Sequence, residues 1–177
     1  MRRGEQTIVR VAPLAAADID RLIELATEIW RAHYTDIIGA AQIEYMLAQR
    51  YTPEILRTEL GRGNLWWDQL LVNDTMSAFA SYFLTVNPGE MKLDKLYVRQ
   101  SHQRQGYAGM LLDRALGVAR AFGCGELTLA VNKRNVKAIA AYEKYGFRIT
   151  DEVVKDIGGG FVMDDYVMVK AVLPDEN

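Results

Sequence analysis

The segment from residue 92 to residue 131 constrains the fold of this chain more than any other. Lys92–Val98 has the composition of a strand, Tyr107–Phe122 repeats apolar residues at helical spacing, and Glu126–Val131 is strand-like again. A strand, a helix and a second strand joined in this order form a crossover, in which the two strands run parallel and the connection is right-handed. We therefore predict at least one parallel strand pair in the sheet.

The rest of the chain supplies several more strands and helices. Helices are predicted after Asp18, over about Ala40–Gln49 and after Pro53, where proline suits a first helical turn. Further elements are predicted as strands at Gln6–Val11, Gln69–Val72, Met76–Val86, Arg148–Ile157 and Phe161–Val169, and as a short helix at Asn135–Tyr145. With 177 residues and no repeat or linker, the expected architecture is a mixed α/β fold in a single domain over residues 1–177.

Composition and charge narrow the functional classes. Lys and Arg number 21 against 23 Asp and Glu, so the net charge of -2 and the pI of about 5.7 give no general attraction for nucleic acid or for an anionic membrane. Cys124 is the single cysteine, which rules out an internal disulfide, and no Cys/His cluster at ligand spacing indicates a metal. No apolar run approaches the roughly 20 residues of a membrane span, and Met1–Gln6 does not resemble a signal peptide. We expect a cytoplasmic protein without nucleic-acid or membrane partners.

Residues 103–112, QRQGYAGMLL, connect the first strand of the crossover to its helix. A tight glycine turn at a helix start leaves backbone N–H groups unpaired, and with the positive end of the helix dipole they form an anion site suited to phosphate. Gly106 and Ala108 keep the surface low enough for a phosphate to reach the backbone, and Arg104 could add charge. The alternative is an ordinary strand-to-helix turn, because the stretch matches neither a dinucleotide-binding fingerprint nor a P-loop.

Two motifs taken together are more specific than the turn alone. Residues 103–108, QRQGYA, resemble the Q/R-x-x-G-x-G/A motif of the GNAT superfamily of acetyl-CoA-dependent N-acetyltransferases. Residues 135–147, NVKAIAAYEKYGF, resemble that family's N-x-x-A-x-x-x-Y-x-x-x-G-F segment, and the order of strands agrees. The resemblance implies a GNAT-like fold, with a central, mostly antiparallel sheet, one parallel strand pair that splays apart, and flanking helices. It also implies acetyl-CoA as the co-substrate.

The resemblance assigns the coenzyme site to these motifs and to the strand before them. The amides of residues 104–109 would hold the pyrophosphate, main-chain groups near Leu96 and Val98 would pair with pantetheine like an added strand, and Asn135 would hydrogen-bond the coenzyme arm. The residues expected to bind acetyl-CoA are Leu96, Tyr97, Val98, Gln103, Arg104, Gln105, Gly106, Tyr107, Ala108, Gly109, Asn135 and Ala138.

Acetyl transfer to an alkylamine requires two proton transfers. Freeing the lone pair of an amine with a pKa near 10.4 costs about 4.6 kcal/mol at pH 7, and the departing thiolate needs a proton. By the resemblance, Tyr142 faces the thioester sulfur and acts as the acid. Its alternative role is that of a half-buried packing aromatic.

Asp94 is the candidate base, acting through water, because it resembles in position an acidic residue of some polyamine acetyltransferases. Strand alternation places it on the same face as Leu96 and Val98. The alternative is a solvated carboxylate paired with a neighbouring lysine, and Glu90 is a further candidate base.

Trp30, His33, Tyr34 and Asp164 are the candidate acceptor-binding residues. The first three lie on or just after the first helix, which in the resembling family helps to form the acceptor wall. On the last strand, Asp164 and the adjacent Asp165 could attract a cationic acceptor. Their alternatives are a core anchor for Trp30, a lone surface histidine for His33 and solvated charge for Asp164.

The expected function is transfer of an acetyl group from acetyl-CoA to a primary amine by direct attack in a ternary complex. The terminal segment resembles the Pai-type bacterial polyamine acetyltransferases, so a small amine such as a polyamine is the expected acceptor. Two alternatives stay open: a catalytically silent acyl-CoA-binding regulatory module, and a protein or peptide N-acetyltransferase. A homodimer is one expected assembly, because dimers are frequent in the resembling family.

Overall fold

A seven-stranded sheet organises the structure, a computed structural model that describes residues 6–174. Its strands are β1 (Val9–Pro13), β2 (Leu65–Val72), β3 (Thr75–Leu84), β4 (Glu90–Val98), β5 (Glu126–Asn132), β6 (Arg148–Gly158) and β7 (Phe161–Ala171). They lie in the order β1-β2-β3-β4-β5-β7-β6, and every neighbouring pair is antiparallel except β4 and β5. The predicted mixed sheet with one parallel pair is confirmed. The expectation about a signal peptide rests on residues 1–6. Residues 1–5 lie outside the described range.

Six α-helices lie within the described residues. They are α1 (Ile19–His33), α2 (Thr35–Ile38), α3 (Ala40–Arg50), α4 (Pro53–Leu60), α5 (Tyr107–Ala121) and α6 (Val136–Lys144). The start of α4 follows the sequence signal, since the Thr52 hydroxyl accepts a hydrogen bond from the Ile55 amide at 3.3 Å and Pro53 comes first in the helix. The start of α1 differs from the prediction. A short 3-10 turn precedes it, and the Asp18 carboxylate accepts from the Ala15 amide at 3.2 Å instead of capping α1.

Two hydrophobic cores lie on opposite faces of the sheet. On one face, α5 packs with Leu111 and Leu112 against Met91 and Leu127, and α6 packs against the same core. On the other face, α1, α3 and α4 cover a core around Phe79. A ligand that enters the sheet between these faces would therefore contact both helical layers.

The parallel pair is short. Strands β4 and β5 are in register from Glu90 with Glu126 to Leu93 with Leu129, and no further. Beyond that point β4 continues to Val98 along β3, and β5 continues to Asn132 along β7. The two strands thus separate at their C-terminal ends, as the family resemblance implies, and leave a gap in the sheet.

A β-bulge at Asp94 corrects the predicted face of this residue. Lys95 lies opposite Ser81 while Leu93 lies opposite Tyr82, so Asp94 is an extra residue on β4. Regular alternation predicted that Asp94 shares a face with Leu96 and Val98, which pack against the α5 core. Because of the bulge, Asp94 instead lies on the other face with Lys95, near α3.

Strand β2 begins earlier than predicted. It starts at Leu65 instead of Gln69 and so includes Trp66 and Trp67, and the buried Trp67 indole N–H donates to the Glu59 carboxylate at 2.9 Å. Strand β3 ends at Leu84 rather than at residue 86. Within residues 6–174, no helix is both long and apolar enough to cross a membrane.

Candidate active site

The gap between β4 and β5 opens into a cleft. Helices α1 and α6 border it from opposite faces of the sheet, and β7 contributes to its wall. The lining residues are Trp30, Tyr34, Leu93, Asp94, Lys95, Leu96, Tyr97, Leu129, Ala130, Val131, Asn132, Asn135, Ala138, Tyr142, Met163 and Asp165. Both predicted catalytic residues therefore lie in one cleft, with several of the predicted coenzyme- and acceptor-binding residues.

A second pocket is lined by other predicted residues. It lies between α1, the end of β4 and the start of α6. Its lining includes His33, Val98 and Gln103, together with Lys137. His33 therefore lines this pocket and not the cleft, although its ring contacts Tyr34, which does line the cleft, with centroids 4.8 Å apart.

The turn before α5 presents a row of free backbone amides. Within residues 6–174, the N–H groups of residues 104–109 have no hydrogen-bond acceptor, while the Met110 amide donates to the Gly106 carbonyl at 3.2 Å. Arg104 and Gly106 adopt positive φ angles of 63° and 82°, which turn successive N–H groups toward one side. The ring of Tyr107 is buried in the α5 core, so this residue can offer only its amide. This geometry fits the predicted phosphate site.

Two side chains support this turn. The Gln103 amide donates to the Val98 carbonyl at 3.3 Å and ties the turn to the end of β4. Gly109 allows Tyr145 of the segment after α6 to pack closely, because a Cβ atom at Gly109 would lie 2.6 Å from the Tyr145 hydroxyl. Glycine at this position thus has a packing role as well as an open amide.

Asn135 joins α6 to α1 through its side chain. The side-chain oxygen accepts from the Ala138 amide at 3.4 Å and lies 3.3 Å from His33 Nε2, and the amide nitrogen donates to the Tyr34 hydroxyl at 3.2 Å. Asn135 is 3% exposed, so its main contacts are within the protein. The structure thus shows it as the residue that caps α6 and holds Tyr34, which the predicted role on the coenzyme arm did not include.

Aromatic rings form the α1 side of the cleft. The rings of Trp30 and Tyr34 stack with centroids 4.7 Å apart, and each also contacts the ring of Tyr97. Trp30 is 4% exposed and belongs to the α1 core, and it also lines the cleft, while its predicted part in acceptor binding stays a prediction. Its indole N–H has no partner among the described residues.

Tyr142 lies on α6 at the opposite side of the gap. Its half-buried ring packs edge-on against Phe147 with centroids 5.5 Å apart. Burial, and to a lesser extent the neighbouring Tyr34, raises the pKa of the Tyr142 phenol above its ordinary value. The phenol therefore stays protonated at neutral pH and can donate its proton.

Asp94 is surrounded by cations. It forms an ion pair with Lys95 and has Arg50 Nη1 at 3.9 Å from its Oδ1. Burial acts to raise the pKa of Asp94, but Lys95, Arg50 and Lys92 outweigh burial and hold that pKa below its ordinary value. Lys95 is itself buried, with its ammonium 5.0 Å from the centre of the Trp67 ring. Asp94 is thus a paired and largely buried carboxylate that lines the cleft, and its role as a base stays a prediction.

Of the two adjacent acids of β7, the one that lines the cleft is Asp165 and not Asp164, the predicted acceptor-binding residue. Asp164, the predicted residue, has a 54% exposed side chain and pairs with Lys133 at 2.7 Å, outside the cleft. Asp165 is 9% exposed, and its Oδ1 has no hydrogen-bond partner among residues 6–174. Successive strand residues point to opposite faces, so adjacent acids have different surroundings.

Glu90, the further candidate base, lies at the paired end of β4, where its carboxylate accepts from the Asn87 side chain at 3.2 Å. It is therefore remote from the splayed end of the strand and does not line the cleft. Among the described residues, no group of three or more His, Cys, Asp or Glu side chains is placed to hold a metal ion.

The β6–β7 hairpin packs against α3. The Tyr45 hydroxyl donates to the Ile157 carbonyl at 2.8 Å, and the Gln42 amide donates to the Val162 carbonyl at 3.0 Å. The glycine run at the hairpin tip permits this contact, because a Cβ atom at Gly159 would lie 2.8 Å from the Tyr45 ring. The hairpin thereby places β7 beside α3.

Comparisons with known proteins agree with this geometry. A model of the acetyltransferase (GNAT) family matches residues 19–147, more than half of the chain. A spermidine N(1)-acetyltransferase of Thermoplasma acidophilum is 26% identical over 160 residues, which cover 88% of this chain and 96% of that protein. An aminoglycoside N(6')-acetyltransferase type 1 of Acinetobacter haemolyticus is 25% identical over 150 residues, covering 82% and 95%.

A solved structure shows the same fold. The PaiA N-acetyltransferase of Thermoplasma acidophilum, determined in complex with coenzyme A, superimposes with a TM-score of 0.80 at 23% identity and covers 93% of this chain and 99% of its own. The resemblance to a Pai-type enzyme is thereby confirmed at the level of fold. With the family match over residues 19–147, these findings show that the chain belongs to the acetyltransferase (GNAT) family and is an N-acetyltransferase.

Proposed function

We propose that this protein transfers an acetyl group from acetyl-CoA to a small primary amine by direct attack in a ternary complex. One observation carries the proposal: the parallel strands separate after Leu93 and Leu129, the gap is lined by a protonated phenol, Tyr142, and the helix that follows β4 starts with six free amides, those of residues 104–109. Acetyl-CoA needs a binding site for its diphosphate, an extended channel for its pantetheine arm and an acid for the departing sulfur. These features are suited to all three.

The coenzyme would lie along the edge of β4 that β5 leaves free. The amides of residues 104–109 bind the pyrophosphate, as backbone donors at a helix start do. Main-chain groups of Leu96 to Val98 face the gap and can hydrogen-bond the amides of pantetheine in the manner of an added strand. Ala138 on α6 lines the cleft with a small side chain and leaves room for the arm.

The chemical step needs charge stabilisation and proton movement. The amine nitrogen attacks the carbonyl carbon of the thioester, the carbon–sulfur bond breaks, and the nitrogen becomes an amide after it loses a proton. A main-chain N–H of splayed β4 can donate to the oxyanion that develops on the carbonyl oxygen. The Tyr142 hydroxyl donates its proton to the departing sulfur and recovers a proton from the reacting nitrogen through the tetrahedral intermediate or water.

Asp94 has a limited part in removing the first proton from the ammonium form. Because its pKa is held low by Lys95 and other cations, it is a weak base for a group with a pKa near 10.4. We therefore assign Asp94 to a water-mediated route, in which its charge orients a water molecule that carries the proton out of the cleft.

The proposed acceptor class is a small cationic amine such as a polyamine. The relatives that support it include a spermidine N(1)-acetyltransferase and an aminoglycoside N(6')-acetyltransferase, both of which are named for amino substrates. The cleft has aromatic walls from Trp30, Tyr34 and Tyr97 and carboxylates from two strands, a combination suited to alkylammonium groups.

A thiol-release assay tests the proposal. Purified protein is incubated with acetyl-CoA and a panel of acceptors: spermidine, putrescine, butylamine, an aminoglycoside and short peptides with free N-termini or lysines. We expect acceptor-dependent release of coenzyme A with at least one small amine. Tight binding of acetyl-CoA without release for any acceptor would support the silent binding module instead, and release with peptides alone would support the peptide N-acetyltransferase.

A further inference from the structure

Among the carboxylates of residues 6–174, Asp165 is the one with a buried oxygen atom that has no hydrogen-bond partner. Its residue surface is 9% exposed, and its Oδ1 accepts no hydrogen bond from residues 6–174. It lines the cleft from β7, on the same face of the strand as Met163, which packs toward the α1–α3 core. A buried carboxylate oxygen without a donor is costly, so its presence in a cleft calls for an explanation.

Arg50 and Lys133, two cations whose charges reach Asp165, form ion pairs with other carboxylates. Arg50 lies beside Asp94, and Lys133 contacts Glu152 and Asp164 at 2.7 Å each. Their charges, with that of Lys92, reach Asp165 and act to lower its pKa, but none of them forms an ion pair with it among the described residues. Burial, followed by the charge of Asp164, outweighs these cations and raises the pKa of Asp165.

The two carboxylates of the cleft therefore differ in whether they still have a free oxygen atom for a ligand. The Asp94 carboxylate already faces the ammonium of Lys95 and the guanidinium of Arg50. The Asp165 carboxylate has a free acceptor oxygen, and Tyr34, whose hydroxyl is close enough for its pKa to respond to the charge of Asp165, lies on the α1 side of the same cleft. The acceptor atom that is still free to bind an incoming cation is therefore Oδ1 of Asp165.

We propose that Asp165 is a specificity-determining residue that binds the ammonium group of the acceptor amine at the β7 side of the cleft. This inference rests on the proposed function and adds to it a named contact and a charge requirement: the acceptor enters as an alkylammonium ion. The ammonium supplies the hydrogen-bond donors that Oδ1 lacks, and the adjacent rings of Trp30 and Tyr34 present their faces or edges to the alkyl chain.

The test uses the adjacent acids of β7 as a matched pair. In Asp165→Asn, the KM for spermidine, or for the best alkylamine of the panel, is expected to rise about ten- to a hundredfold, the range for one charge-assisted hydrogen bond. The KM for acetyl-CoA should not change, and kcat should stay within a few fold. In Asp164→Asn, which removes an exposed carboxylate outside the cleft, neither KM should change.

Three results would overturn the inference: an unchanged amine KM in Asp165→Asn, an equal rise in Asp164→Asn, or failure of Asp165→Asn to fold. The last counts because the substitution removes a buried charge that lacks a partner, which should not unfold the protein. A general packing defect would change the KM for acetyl-CoA as well, so that second measurement separates recognition from structure.

Calorimetric titration of spermidine separates this inference from the proposed function. Binding to the wild-type protein that Asp165→Asn weakens would support the role of Asp165 even if the wild type releases no thiol, in which case the proposed transfer alone fails. Turnover by the wild type with equal amine binding in both proteins would reject Asp165 and leave the proposed transfer intact.

Discussion

The Tyr142 hydroxyl is the single group in the cleft that the proposed chemistry requires as an acid. In Tyr142→Phe the ring and its contact with Phe147 remain, while the proton donor is lost. We expect kcat to fall about a hundredfold or more, the usual scale for loss of a positioned acid, and the dissociation constant of acetyl-CoA to stay within about twofold. Steady-state kinetics and calorimetry measure the two quantities.

Tyr145→Phe is the control for this substitution. Tyr145 lies just after α6, but its hydroxyl contacts Gly109 and does not line the cleft, so kcat should be retained. Unchanged turnover in Tyr142→Phe would remove the acid assignment and return Tyr142 to a packing role.

The raised pKa of Asp165 predicts a pH-dependent stability. Its main cause is burial, and the charge of Asp164 adds to it, so the folded protein holds this proton more tightly than the unfolded chain does. Ionisation of the group thus costs stability above the folded-state pKa, and the cost vanishes below the unfolded-state value of about 3.9. We expect Asp165→Asn to have a larger free energy of unfolding than the wild type at pH 7, and the difference to disappear near pH 4.

Urea denaturation at several pH values measures this difference. In Asp164→Asn, which affects an exposed ion pair, the free energy of unfolding should stay within about 0.5 kcal/mol of the wild type at each pH. A wild-type protein that is more stable than Asp165→Asn at neutral pH would contradict the prediction.

At the residue scale, the sequence was enough to select Tyr142, which lines the cleft, but not to choose Asp165 over Asp164 on β7. Tyr142 falls in a motif with fixed spacing, so its position on α6 followed directly. The choice between Asp164 and Asp165 depends on which face each occupies, and apolar residues stand on both faces of β7 around them. Alternation alone therefore carries no signal that could have selected Asp165.

At the scale of elements, the turn before α5 yields the next prediction. Gly106 has a φ of 82°, a conformation that costs an L-residue about 1–2 kcal/mol, although a Cβ atom there would meet no neighbour. Relief of this strain would rotate the amides of the turn away from their common direction. We expect Gly106→Ala to lower the free energy of unfolding by about 1 kcal/mol and to weaken acetyl-CoA binding about tenfold or more.

Gly117→Ala supplies the matched control in the same helix. Gly117 lies in the interior of α5 with open space around its Cα and without a positive φ. Alanine there should stabilise the protein by up to about 1 kcal/mol and leave acetyl-CoA binding unchanged. Equal affinity in Gly106→Ala and Gly117→Ala, measured by calorimetry, would argue against the turn as the diphosphate site.

The elements themselves were largely predictable, and the bulge was not. The crossover from β4 through α5 to β5 followed from hydrophobic spacing and glycine positions, and the structure has it with small changes in its limits. The extra residue at Asp94 depends on how β4 aligns with β3, a register set by tertiary packing between the two strands. The periodicity of one strand alone therefore cannot predict that register.

At the scale of the whole molecule, acetyl-CoA should stabilise the fold, because it would contact both helical layers through the gap. A ligand at a hundred times its dissociation constant adds about 2.7 kcal/mol to the free energy of unfolding. For a chain of 177 residues this corresponds to a rise of about 5–10 °C in the midpoint of thermal unfolding. Differential scanning fluorimetry with and without acetyl-CoA measures the shift.

Gly106→Ala provides the comparison for this measurement. With its weakened anion site it should show a clearly smaller shift at the same ligand concentration. A wild-type midpoint that does not respond to acetyl-CoA would contradict the placement of the coenzyme in the gap.

The global architecture followed from local pattern and family resemblance together. Hydrophobic spacing gave the elements, but the position of β7 between β5 and β6, and the docking of the hairpin on Tyr45, depend on contacts between residues far apart in sequence. The homodimer expected from the resemblance stays a prediction, and sedimentation equilibrium of the purified protein would test it.

The four-residue register between β4 and β5 has a mechanical consequence. A continuous sheet resists shear through its ladder of hydrogen bonds, whereas this sheet consists of two halves, β1–β4 and β5–β7–β6, with few rungs along their common border. An extended guest with its own amide groups would supply the missing rungs. The border between the two halves would then be stiffest with the coenzyme bound and most flexible after its release. Each catalytic cycle would therefore alternate between these two states.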